Sequence, residues 1–180
     1  ALEEVDGVTV GYVGTVTQET PSLVSPDGIA GLEFRDPVAE TEAVAAELKD
    51  GDESNGEADV VVALAHEGAA PDSIGSPEDL AADPVFGDFV AMSDDVDAIF
   101  SGHTHMPYAF DMDIPGSDRT RAVVSAHEYG KALGRVTLTV DPDADTVEVD
   151  VVELLDPSDA TPDPVVEGLV ADAVADSAVL

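Results

Sequence analysis

Ala58-Asp59-Val60-Val61-Val62-Ala63-Leu64-Ala65 is a nearly continuous apolar run, and an imidazole, His66, follows it directly. So short a run, rich in β-branched residues, suits a strand buried on both faces. A second run, Val96-Asp97-Ala98-Ile99-Phe100, leads directly into Ser101-Gly102-His103-Thr104-His105. Each strand is thus followed at once by histidine. Three of the four histidines in the chain should emerge at the carboxyl ends of neighbouring strands, where α/β sheets collect their ligands.

Outward from these two runs, the pattern alternates. Val8 to Val16 reads as a β-branched strand closed by Glu19-Thr20-Pro21-Ser22. A helix should begin at Asp36-Pro37, with Asp36 as cap and Pro37 in the first turn, and carry Val38, Val44, Ala45 and Leu48 towards Gly51. Asp50 to Glu57 is a polar loop, and Pro77 to Ser93 reads as a less regular helical stretch. Strand, helix, strand, helix, strand is the order of a layered α/β domain. After a loop around Pro115-Gly116-Ser117 come runs at Ala122 to Ala126, Leu133 to Val140 and Thr146 to Leu155. The last two read as an antiparallel hairpin across the acidic turn Asp141 to Asp145. A Pro-rich linker from Asp156 then precedes a helix from Pro164 to about Ala178, with Val166, Leu169, Val170 and Val174 on one side.

Composition narrows the chemistry. The 180 residues suit one domain with a real core. Without cysteine there are no thiolate sites, so any metal must be held by nitrogen and oxygen. Forty acidic residues against six basic ones give a formal charge of -34, which repels nucleic acid polymers and anionic membrane surfaces. The same excess fits a high-salt source or a high-GC codon bias equally well. The sequence contains no apolar run long enough to span a membrane, and no signal peptide.

In Gly102-His103-Thr104-His105, extended backbone would turn both imidazoles to one side, within reach of metals about 3.5 to 4 Å apart. Gly102 would let the backbone turn tightly. A lone histidine at a strand end is usually a surface residue; three at one sheet edge, in a chain with one other, point to metal. Glu67 reads first as a solvated carboxylate and second as a group orienting His66. His127 reads as a surface-loop residue and Tyr108 as packing, while Thr104, Tyr129 and Lys131 are candidates for the wall of a pocket.

Ala65-His66-Glu67-Gly68, followed by Asp97 through His105, resembles the last two motifs of calcineurin-like metallophosphoesterases. Val10 through Pro21 and Ala126-His127-Glu128-Tyr129-Gly130-Lys131-Ala132-Leu133-Gly134 narrow the resemblance to the 5'-nucleotidase and 2',3'-cyclic-nucleotide phosphodiesterase branch. The resemblance implies part of a layered α-β-β-α domain: its second half over residues 1–155, and a linker and helix over 156–180 leading towards a further nucleotide-binding domain. It implies two divalent metals (manganese, zinc, magnesium or iron), with His66 and His103 on one and His105 on the other, activating water for attack on a nucleotide phosphate. The family's other ligands lie in Asp-x-His, Gly-Asp and Gly-Asn-His segments, which this sequence lacks; Gly51-Asp52 falls in the wrong place. No catalytic residue is therefore assigned here, and the chain alone should bind metal weakly and hydrolyse nothing. Family resemblance also implies an extracellular, periplasmic or cell-wall location. Half a domain would expose a sheet edge and an apolar face, so self-association is expected. The alternative is a non-catalytic acidic interaction or calcium-binding module, for which the Asp141 to Asp145 turn is the candidate.

Overall fold

Strand β1 (Leu2–Val5) turns into β2 (Val8–Val16) through Asp6-Gly7, whose φ angles of 51° and 86° are what a two-residue hairpin turn requires. A computed structural model describes residues 1–52, 54–70 and 74–177 of the chain. A short helix α1 (Thr20–Leu23) follows, then α2 (Pro37–Glu47). The carboxylate of Asp36 accepts from the N–H groups of Val38 and Ala39, so the expected cap is in place. The chain continues through β3 (Val60–His66), α3 (Pro77–Ala81), α4 (Gly87–Val90), β4 (Ala98–Ser101), β5 (Pro107–Asp113) and β6 (Thr120–Ala126). It closes with β7 (Leu133–Asp141), β8 (Thr146–Leu155) and α5 (Pro164–Ser177).

Six strands form one sheet in the order β1-β2-β3-β4-β6-β5, in which β2, β3, β4 and β6 run parallel and both outer strands run antiparallel. Alternate residues of β3 serve two cores, as its two-sided apolarity demands. Val61, Ala63 and Ala65 face Ala45, Leu80 and Phe89 of the helices. Val60 and Val62 face the β7–β8 hairpin, which lays Val136, Leu138 and Val149 across the opposite face. The result is a mixed α/β fold of helices, sheet and hairpin, with a helix at the C-terminal end.

Several expectations are corrected. The stretch from Pro77 to Ser93 is two short helices, because Asp83-Pro84 interrupts it. The Asp83 carboxylate accepts from the N–H groups of Val85, Phe86 and, from a distant loop, Ala70. Strands β1 and β5 fall where no strand was expected. The final helix ends at Ser177 within the described residues, and the expected Ala178 lies outside them, as does Glu53 of the expected Asp50 to Glu57 loop.

Candidate functional site

The sheet register sets the candidate site. Ala65 of β3 pairs with Ser101 of β4, and Ser101 pairs with Ser125 of β6, so these three residues form one row across parallel strands. His66 lies one residue beyond that row, and His103 and His127 each lie two beyond it. All are carried to the carboxyl edge of the sheet, where side chains from separate strands converge.

Contacts between the two loops fix what happens beyond the row. The N–H of Gly102 donates to the Glu67 carbonyl at 3.1 Å, and the N–H of Thr104 donates back to the Gly102 carbonyl at 2.6 Å. Gly68 sits so close that a Cβ built on it would stand 2.3 Å from the Gly102 carbonyl oxygen and 2.7 Å from Thr104 Oγ1. This turning corrects the expectation of extended backbone: His103 and His105 adopt φ of 62° and 63°, in the left-handed region. Instead of pointing side by side, the rings come together as two pairs. The His66 and His103 centroids are 5.0 Å apart at 60°, and those of His105 and Tyr129 are 5.9 Å apart at 60°.

Among the described residues, no group of three or more His, Cys, Asp or Glu side chains is gathered as the shell of one ion. The donor chemistry of the His66–His103 pair nevertheless suits part of such a shell. Two imidazoles carried on neighbouring strand ends are ligands for zinc, manganese or iron, and they leave positions to be filled by other groups.

Of the neighbouring residues, Glu67 departs from its expected role while Tyr108 keeps its own. Glu67 is not a solvated carboxylate: it is 8% exposed, and its Oε1 accepts from the Gly68 N–H at 3.1 Å. Its main-chain carbonyl holds Gly102, so it braces the joint between the two loops. Thr104 Oγ1 is buried without a hydrogen-bond partner. Tyr108 is packed, 3% exposed; its hydroxyl lies 2.7 Å from Ser101 Oγ, and burial raises its pKa. His127, with φ of 67°, contacts Glu128, which also pairs with Lys131. The hydrogen bond from Lys131, aided by His127, holds the Glu128 carboxyl below its usual range. In the hairpin turn, Asp141 Oδ1 accepts from the N–H groups of Asp143 and Ala144, closing the turn on itself.

Sequence reasoning missed the charged hub at the opposite edge of the sheet. Asp97, 1% exposed, accepts from the Val61 N–H at 2.8 Å, lies 3.5 Å from Lys49 Nζ and pairs with Arg119. Arg121 is fully buried beside it, donating to the carbonyls of Met92 and Ser93, and burial lowers its pKa to about 10. A cavity of about 460 Å³ lined by Lys49, Asp59, Asp94 and Arg119 opens there, away from the histidines. Three of the six basic residues serve this hub, a concentration visible only in three dimensions.

Comparison with known proteins gives a family model and several relatives. Residues 3–107 match the calcineurin-like phosphoesterase model. The chain is 32% identical over 140 residues to Endonuclease YhcR of Bacillus subtilis, covering 76% of this chain and 10% of that protein. It is 28% identical over 145 residues to a 5'-nucleotidase of Vibrio vulnificus, covering 72% of this chain and 25% of the relative. A crystal structure described as a 5'-nucleotidase from Staphylococcus aureus superposes with a TM-score of 0.66 at 27% identity, over 94% of this chain and 32% of that one. The chain thus spans a quarter or less of these curated relatives and a third of the solved structure.

Proposed function

The chain belongs to the calcineurin-like phosphoesterase family, and on that premise we propose that it supplies part of a two-metal centre that hydrolyses nucleotide phosphates, in the manner of a 5'-nucleotidase or a 2',3'-cyclic-nucleotide phosphodiesterase. The observation that carries the proposal is the His66–His103 ring pair at the carboxyl edge of the parallel strands. In this reading His66 and His103 hold one divalent ion and His105 helps to hold a second. Such ions, when bound, polarise phosphoryl oxygens and neutralise the charge that develops on them.

The chain's own residues prepare the site. Gly68 lets the two loops meet, the Glu67 carbonyl pins Gly102, and the left-handed turns at His103 and His105 aim the imidazoles. Three imidazoles fall well short of the seven or so protein ligands that two ions need, so we propose that the chain alone is inactive. The charge of -34 favours a small substrate over a polymer, because repulsion grows with the number of phosphates brought near. Residues 1–155 are read as the phosphoesterase unit and 156–180 as a connector, supported by α5, whose residues are exposed throughout. An extracellular, periplasmic or cell-wall location is part of the same proposal and rests on family resemblance.

Isothermal titration with manganese and zinc tests the reading. His66→Ala and His103→Ala should abolish the same binding event, and AMP, 2',3'-cyclic AMP and bis-p-nitrophenyl phosphate should not be turned over above a metal-only control. Metal binding untouched by alanine at His66, His103 and His105 together would sink the metal assignment. Enzyme-like turnover by this chain would sink the ligand count.

A further inference from the structure

The loop that follows His66 is held donor by donor. The N–H of Gly68 donates to Glu67 Oε1 at 3.1 Å, and that of Ala70 to Asp83 Oδ2 at 2.9 Å. Between them, the N–H of the fully buried Ala69 stabilises the hydroxyl oxygen of Tyr108. That hydroxyl also lies 2.7 Å from Ser101 Oγ. Ser101 has one hydroxyl proton, which it donates to the Val124 carbonyl at 3.2 Å, so Tyr108 donates to Ser101 and accepts from Ala69. One oxygen thus ties the loop after β3 to the last residue of β4. His66 stands three residues before Ala69, His103 two residues after Ser101, and their rings meet at 5.0 Å. Packing alone does not account for the hydroxyl: the ring stacks on Phe110 and tilts against Phe86, contacts that phenylalanine would make without burying a polar group.

We propose that Tyr108 is a positioning residue for the candidate metal site, its hydroxyl setting the separation of His66 and His103 by tying their two loops together from the core. The inference rests on the reading of His66 and His103 as ligands of one ion, and adds to it a group that holds them at ligand spacing. Tyr108 is buried among apolar side chains and acts only through the imidazoles. Supporting groups of this kind orient ligands and tune affinity without touching the ion.

The test is zinc titration of the whole chain by calorimetry, with NMR spectra of the histidine rings taken before and after zinc. Tyr108→Phe should weaken binding at the His66–His103 pair by about tenfold, the lower end of the range for removing a group that supports ligands. It should also remove the ring-to-ring cross-peak between His66 and His103 in the zinc-free chain. Ser101→Ala should do the same, and the double variant should bind no more weakly than either single one, because both break one link. Val96→Ala is the control for lost stability: fully buried, two residues before β4 at the end opposite Ser101, it should lower the melting temperature and leave zinc affinity unchanged. The proposal is overturned by wild-type affinity in Tyr108→Phe, by additive losses in the double variant, or by an equal loss of affinity in Val96→Ala. Failure of the metal reading looks different: wild type then takes up no zinc at the pair. The hydroxyl link is in that case judged in the zinc-free spectra, where an unchanged cross-peak in Tyr108→Phe overturns it and a lost one upholds it.

Discussion

Replacing Gly68 with alanine should damage the candidate metal site by a route that involves no ligand. The added Cβ would stand 2.3 Å from the Gly102 carbonyl oxygen, about 0.7 Å inside the 3.0 Å limit that real Cβ atoms keep. The obstacle is backbone, so no side chain can rotate out of the way; the loop carrying His103 must retreat from the strand carrying His66. Metal shells tolerate displacements of only about 0.2 Å, so the forced shift exceeds the tolerance severalfold. Affinity for zinc or manganese should fall about 10- to 100-fold, the range seen when the groups supporting ligands are disturbed. Overpacking should also cost about 1–3 kcal/mol of stability, lowering the melting temperature by roughly 2–12 °C for a chain of this size. Titration calorimetry and differential scanning calorimetry measure the two effects separately. Gly75→Ala is the control, since its Cβ would meet only the Asp79 side chain at 3.6 Å. Unchanged metal affinity and melting in Gly68→Ala would refute the claim that contact between these loops sets the imidazole geometry.

Three further outcomes are expected. Asp97→Ala leaves Lys49, Arg119 and the Val61 N–H without their shared partner, so it should destabilise the chain by about 3–5 kcal/mol in chemical denaturation; a loss below 1 kcal/mol would contradict the hub. Burial would raise the Asp83 pKa, but three backbone N–H donors outweigh it and leave the value below normal. Its contribution is therefore complete above the unfolded value of about 3.9 and lost as pH falls through the lower folded value; Asp83→Asn should flatten the acid limb of stability against pH, and an unaltered limb would refute this. Leu64, 44% exposed, lines an apolar hollow of about 280 Å³ with Tyr12, Phe100 and Leu138, so sedimentation should show self-association at micromolar concentration that Leu64→Glu weakens, whereas a monodisperse wild-type monomer would contradict it.

The central strands were legible because burial on both faces leaves a mark in sequence: β2 and β8 fall on the expected residues, and β3 within two. The β1 hairpin carried a readable signal in Asp6-Gly7, but the exposed Leu2-Glu3-Glu4-Val5 offers no apolar face to confirm it. Strand β5 hid its alternation of Tyr108, Phe110 and Met112 behind Pro107, Asp111 and Asp113. Placement of the histidines at one edge followed from the apolar runs before them. Their conformation did not, because the turns at His103 and His105 go with contacts from Glu67 and Gly68, more than thirty residues away. Glu67 was misread for a similar reason: it is buried where its carbonyl meets Gly102, far away in sequence, and nothing next to it in sequence reveals that. The Asp97 hub likewise draws Lys49 from the end of α2 and Arg119 and Arg121 from the start of β6, two segments remote from Asp97 in sequence.

The most direct test is a zinc titration followed through the imidazole nitrogens of the ¹⁵N-histidine-labelled chain. The His66 and His103 resonances should shift together, at one stoichiometry and one apparent affinity, with His105 responding as a separate event and His127 remaining still. If His66 and His103 respond at different zinc concentrations, or not at all, the paired-imidazole site, and the phosphoesterase chemistry assigned to it, is wrong.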